Sequence, residues 1–117
     1  MNENAIGGLA YVGQRLYEGG ELEKARELYR QACVIAPARA DFWNNYGLIC
    51  RDSGHYEESY RAYLRAVELS PDDARTVNDC YLILLYHLHR DLDLAEHEFI
   101  RAEDLARAKL AAAQQGD

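Results

Sequence analysis

Residues 43–71 read WNNYGLICRDSGHYEESYRAYLRAVELSP, and the reading of this stretch decides the fold. Trp43, Tyr46, Gly47 and Cys50 are spaced as one face of a helix, Gly54 interrupts it, and Ser59, Tyr63 and Ala66 mark the face of a second helix. Two helices packed side by side need small residues where their backbones come closest. Gly47 and Ala66 supply that room, while Trp43, Tyr46 and Tyr63 fill the space on either side. Gly54 suits the left-handed backbone that commonly ends a helix. Pro71 lacks an amide hydrogen and forces Ser70 out of helical geometry, so the second helix stops there.

The same set recurs 34 residues earlier: Gly47 falls on Gly13, Gly54 on Gly20, Tyr63 on Tyr29, Ala66 on Ala32 and Pro71 on Pro37. The spacing resembles the W-x2-L-G-x2-Y, A-x3-F, P pattern of the tetratricopeptide repeat (TPR) family. Tyr46 stands for the leucine, Cys50 for the tyrosine and Ser59 for the first alanine. The resemblance implies an all-α chain, a right-handed α-solenoid of three helix-turn-helix pairs with its last helix extended. It divides a single domain, 1–117, into repeats of about 6–39, 40–73 and 74–108, with 109–117 as helix extension and tail.

Composition agrees. A chain of 117 residues, 49% of them hydrophobic and only two of them proline, is one domain able to bury roughly two-thirds of its unfolded surface. The net charge of −7, with 13 basic residues scattered among 20 acidic ones, argues against nucleic acid and against an anionic membrane surface. The longest apolar runs, such as Leu82 to Tyr86, are far too short to span a bilayer. With no leader pattern at the start, the expectation is a cytoplasmic protein. Cys33, Cys50 and Cys80 show no C-x-x-C spacing and read as buried, reduced thiols.

Along the chain, a first helix from about Ala5, capped by Asn4, should bury Leu9, Val12, Gly13 and Leu16, and Gly19 and Gly20 should end it. A second, from about Glu21 to Ile35, should bury Leu22, Ala25, Leu28, Tyr29 and Ala32. Its Glu23, Lys24, Arg26, Glu27 and Arg30 read as a solvated face with i, i+4 pairing. Helices follow from about Arg39 to Ser53 and Tyr56 to Leu69, with Trp43, Tyr46, Tyr63 and later Phe99 in the core. Asp72 and Asp73 are placed to cap the helix after Pro71.

The third repeat departs from the pattern. Val77, Cys80 and Leu84 keep the apolar register, but Tyr81 stands where Gly13 and Gly47 stood, so the close approach of the pair must be rearranged. From Leu16 to Ala25 and from Cys50 to Ser59 is 9 residues, whereas from Leu84 to Ala95 is 11, which puts two extra residues in the turn His87 to Asp93. No proline stops the last helix, expected from about Leu92 to Gln114. Its stripe of Ala106, Leu110 and Ala113 needs either a self-made cap or another protein over it.

No phosphate-cradling glycine loop, nucleophile elbow or paired-ligand metal motif occurs, so neither an enzyme nor a cofactor is expected. His87, His89, Asp91, Glu96 and His97 crowd the third turn. His87 and His89, two apart, point to different sides of a helix, and the cluster reads as a polar turn rather than a metal site. The adjacent carboxylates Glu57–Glu58 sit near a helix start and suit its dipole.

The family resemblance directs attention to the concave groove that the first helices of successive TPR pairs line, where peptides or helices of partner proteins bind. Carried over by the 34-residue register, that groove consists of Ala10, Gln14 and Tyr17, then Asp41, Asn44, Asn45, Leu48, Arg51 and Asp52, then Arg75, Asn78, Asp79, Leu82 and Tyr86. Amides there can bond an extended backbone, and Arg51 and Arg75 can hold a carboxylate. The carboxylate clamp of some TPR co-chaperones, Lys-Asn-Asn-Lys-Arg, maps onto Ala10, Gln14, Asn45, Arg75 and Asp79. The first cation is lost and the last reversed, so a clamp is not expected. The resulting expectation is a non-enzymatic adaptor that binds a protein or peptide. The alternative is a self-associating scaffold, a homo-oligomer joined through the C-terminal helices.

Overall fold

The computed structural model describes the backbone of residues 3–88 and 92–115, with side-chain surroundings at 4–88, 100, 101, 104 and 107–115. Helices α1 (Glu3–Glu18), α2 (Leu22–Ile35), α3 (Ala40–Asp52), α4 (Tyr56–Leu69), α5 (Ala74–Ile83) and α6 (Leu92–Gln115) follow one another, and no strand occurs among the described residues. A π-helical turn, Leu84–Leu88, prolongs α5. The molecule measures 41 × 39 × 19 Å, about two helix diameters thick.

Two turns repeat in detail. Gly20 (φ 81°) and Gly54 (φ 83°) take the left-handed conformation. After each, the next amide reaches back five residues, Glu21 N to Leu16 O and His55 N to Cys50 O, both at 2.8 Å. The glycine amides themselves donate to Tyr17 O and Arg51 O at 3.0 and 3.1 Å, which completes the helix-ending motif that satisfies otherwise orphaned carbonyls. At the start of α5, Asp73 accepts from the amides of Arg75 (3.1 Å) and Thr76 (3.4 Å), as a capping carboxylate should.

Within each of the first two pairs, an aromatic ring lies on a glycine. A Cβ built on Gly13 would stand 2.9 Å from the Tyr29 ring, and one on Gly47 2.8 Å from the Tyr63 ring. Ser59, fully buried, donates from its hydroxyl to the Gly47 carbonyl at 2.7 Å and so adds a polar tie to the α3–α4 crossing. Between pairs, α2 packs on α3 through Ala25, Tyr29, Ala32 and Cys33 against Phe42, Tyr46, Ile49 and Cys50. A second cluster joins Tyr60, Tyr63 and Val67 of α4 to Cys80, Ile83 and Leu84.

The third pair is built differently. Tyr81 removes the gap that admitted Tyr29 and Tyr63. Among the described residues α6 packs mainly against α4 and also meets the π turn. Tyr81 is left 40% exposed. The π turn absorbs part of the longer spacing, since i→i+5 bonding accommodates an extra residue. His89 to Asp91, in the middle of the predicted insertion, lie outside the described residues.

Several expectations need correction. α1 begins at Glu3, so Asn4 lies inside the helix rather than capping it. Val12 is exposed, because nothing among the described residues lies on the face of α1 that corresponds to the α2-contacting face of α3. Trp43 is half-buried: its indole N–H donates to Pro37 O at 2.9 Å and its ring meets Tyr46 edge-on. The surface pairs of α2 are i, i+3, namely Glu23–Arg26 (2.9 Å) and Glu27–Arg30 (2.7 Å). The side chain of Phe99 lies outside the described residues.

Candidate functional site

Side-chain hydrogen bonds bridge α1 to α3 and α3 to α5. The Tyr17 hydroxyl of α1 donates to the Asp52 carboxylate of α3. Asn44 Nδ2 of α3 donates to Thr76 Oγ1 of α5 at 3.0 Å, and Thr76 Oγ1 donates in turn to Asp73 Oδ2 at 3.0 Å. The hydrogen bond to Asp52 comes first among the causes that raise Tyr17 above the usual phenol range. Arg51 Nε donates to Asp52 Oδ1 at 3.1 Å, so the end of α3 is a knot of Tyr17, Arg51 and Asp52. At the other end of α3, Arg39 grips Asp41 through two nitrogens, at 3.0 and 2.7 Å, holding that carboxyl below its usual range. The Arg39 guanidinium also lies 4.0 Å from the centre of the Phe42 ring.

Of the other predicted groove residues, Ala10, Asn45, Leu48 and Asp79 are half-buried. Gln14, Arg75, Asn78, Leu82 and Tyr86 are exposed, and Gln14 donates to Glu18 at 3.2 Å. Tyr86 sits in the π turn, where the regular 34-residue register no longer holds. An open cleft of about 540 Å³ between Gly20–Lys24 and Asp52–Ser53 shares only Asp52 with these positions.

Sequence reasoning missed a second polar network, on the opposite layer. Arg26 reaches across from α2 to Glu58 of α4 at 2.8 Å while holding Glu23 at 2.9 Å, and Glu23 also meets the His55 ring at 3.1 Å. Cys50 Sγ donates to the same Glu58 carboxylate at 3.3 Å. Burial pushes Glu58 up, but bonds from Cys50, Tyr46 and Arg26 outweigh it and hold the carboxyl below its usual range. No local pattern announces this pairing, because its members are 32 residues apart. The three thiols are buried, and burial pushes Cys33 and Cys80 up to about 12 and raises Cys50 as well. They are neutral at physiological pH and poor nucleophiles or metal ligands. Among the described residues no group of three or more His, Cys, Asp or Glu is placed to hold a metal, and no helix is long and apolar enough to cross a membrane. His89 and Asp91, and the side chains of Glu96 and His97, lie outside those residues.

Family models described as "TPR repeat" and "Tetratricopeptide repeat" match residues 13–49 and 40–73, together just over half of the chain. The chain belongs to the tetratricopeptide repeat family. This TPR chain is 40% identical over 60 residues to human Protein O-mannosyl-transferase TMTC1, a match spanning 51% of this chain and only 7% of that protein. Among solved structures it is similar to the Yersinia enterocolitica type III secretion chaperone SycD in complex with a peptide of the translocator YopD. The TM-score is 0.69, with 17% identity over 92% of this chain and 77% of SycD. An alternative dimer of SycD gives a TM-score of 0.67, with 18% identity over 94% of this chain and 79% of that one. At these identities the likeness is one of fold.

Proposed function

We propose that this TPR chain is a non-enzymatic adaptor that binds an extended peptide or a helix of a partner protein on the face shared by α1, α3 and α5. The observation that carries the reading is the bridging of these helices by Tyr17–Asp52 and Asn44–Thr76. The bridges hold three separate helices as one surface and leave half-exposed Leu48, exposed Leu82 and the cation Arg75 beside them to engage a ligand. Such a mixture of apolar anchors and directional polar groups suits peptide recognition. SycD, of similar fold, is seen with a peptide of its translocator, which supports a peptide as the class of ligand.

The test is affinity capture from native lysate with mass spectrometry, comparing the wild type with the double variant Arg75→Glu, Leu82→Glu. Both side chains are exposed, so folding is not at stake. Partners should disappear from the variant while its circular dichroism stays unchanged. An unaltered set of captured proteins means the groove is not the site.

A second reading, self-association, is favoured by a separate observation. Tyr81, Leu85 and Tyr86 are 40%, 46% and 63% exposed around the π turn, and Leu110 on the predicted stripe of α6 is 52% exposed. Light scattering after size exclusion should show a dimer or larger species at high micromolar concentration, and Tyr81→Ser with Leu85→Ser should return it to the monomer. A strictly monomeric wild type defeats this reading.

A further inference from the structure

The end of α5 and the π turn sort their side chains onto two sides. Cys80, Ile83 and Leu84 are fully buried in the cluster shared with α4, and Leu88 packs against that cluster. The His87 ring stacks on Tyr56 of α4, with 4.2 Å between ring centres and 18° between planes. The turn is thus anchored on one side, and what it leaves outward is apolar: Tyr81, Leu82, Leu85 and Tyr86 are 40%, 37%, 46% and 63% exposed. Tyr81 and Leu85 are four residues apart, as are Leu82 and Tyr86, so the four make one contiguous patch on a single helical surface. From Cys80 to Leu88 the chain carries no Asp, Glu, Lys or Arg.

Two demands fall on this patch. Leu82 is the exposed apolar anchor of the groove, on the same helix as Arg75. It also lies inside the surface that favours self-association, beside Tyr81 and one turn before Leu85 and Tyr86. A side chain covered by one ligand is closed to another.

A second copy of the chain suits the patch. Two chains of net charge −7 repel one another, and a stretch free of carboxylates is a place where they can still approach. The patch is apolar and carries two tyrosines, as the cores of protein interfaces do, and a two-fold axis would set it against itself. Four large side chains about half exposed present roughly 400 Å² per copy. A dimer would then bury roughly 800 Å², less than the about 1,200 Å² at which stable complexes begin. Such a pairing is weak and can be displaced.

We propose that a second copy seated on Tyr81, Leu82, Leu85 and Tyr86 closes the α5 side of the groove, so that self-association and peptide binding exclude one another. The dimer is the resting form, and a bound peptide releases the monomer. The inference rests on both readings above and adds the coupling between them. The apparent affinity for peptide falls with the fraction of chains still monomeric, which is about one-fifth at a protein concentration about ten times the dimer dissociation constant.

The probe is a peptide selected on the full chain at nanomolar concentration from a randomised display library, and kept only if Arg75→Glu abolishes its binding. That criterion ties it to the groove through a residue outside the patch. Light scattering after size exclusion should show a dimer for the wild type alone at high micromolar concentration. With saturating peptide it should show the mass of one chain and one peptide. Tyr81→Ser with Leu85→Ser, which leaves Leu82 in place, should bind the peptide as the wild type does at nanomolar concentration. At about ten times the dimer dissociation constant it should bind about fivefold more tightly than the wild type. A wild-type dimer that keeps its mass while saturated with peptide overturns the proposal and leaves both readings standing. A double variant that still dimerises puts the second copy elsewhere and overturns it too. A wild type that is monomeric throughout removes the proposal together with self-association, while the groove survives. A library without any Arg75-dependent peptide removes it together with the groove.

Discussion

Gly47 and Gly8 are both helical glycines, and their surroundings give them opposite roles. A methyl group at Gly47 would press 2.8 Å from the Tyr63 ring, which is itself fully buried and has nowhere to retreat. Gly47→Ala should therefore destabilise the protein by about 2 kcal/mol, the strain of overpacking exceeding the gain in helix propensity. At Gly8 nothing lies within 4 Å, so Gly8→Ala should stabilise by about 0.5–1 kcal/mol through the reduced entropy of the unfolded chain. Denaturant titrations of the two variants should move in opposite directions. A destabilised Gly8→Ala would mean that α1 accepts a neighbour at that point.

At the level of elements, helix ends decide where each pair turns. Asp73 satisfies two amides at the start of α5, and Asp73→Ala should cost about 1 kcal/mol. Because the same carboxylate also accepts from Thr76, whose oxygen in turn accepts from Asn44, the loss should spread to the α3–α5 bridge. Hydrogen exchange in α5 should then quicken more than in α2. Equal quickening in both helices would indicate a purely global effect. Gly54, with φ at 83°, ends α3 in a conformation costly for any side chain, and Gly54→Ala should destabilise by about 1 kcal/mol although no atom stands in the way. The third pair shows the converse: with Tyr81 in place of glycine, α6 finds its support mainly on α4 and also on the π turn.

For the whole molecule, stability should depend on pH at both ends of the scale. Glu58, Glu23 and Asp41 titrate below their usual range in the folded state, so their contribution is complete above about pH 4.5 and is lost as pH falls through their lowered values. Because Glu58 shares Arg26 with Glu23 across the α2–α4 layer, acid should loosen that layer first. The buried thiols act at the other end. Their pKa is raised from 9.0, to about 12 for Cys33 and Cys80, so the unfolded chain gives up protons that the folded chain keeps. Stability should hold below about pH 9 and fall between 9 and 12. Replacing Cys33 and Cys80 with Ala should flatten that alkaline limb in thermal melts, and an unchanged limb would assign it to the buried tyrosines instead.

The sequence by itself determined the periodic part of this protein. Gly13 and Gly47, Gly20 and Gly54, and Pro37 and Pro71 at a common interval dictate where helices approach, turn and stop, because those requirements are local to one or two turns of backbone. Tyr81 likewise marked the third pair as different, since a ring cannot occupy a gap made for a hydrogen atom. The tertiary structure alone decided where α6 goes, that Arg26 joins Glu58 from 32 residues away, and that the buried Tyr63 hydroxyl has no hydrogen-bond partner among the described residues. Such outcomes turn on which side chains from different helices come within bonding distance once the layers stack, and no spacing along a single helix encodes that.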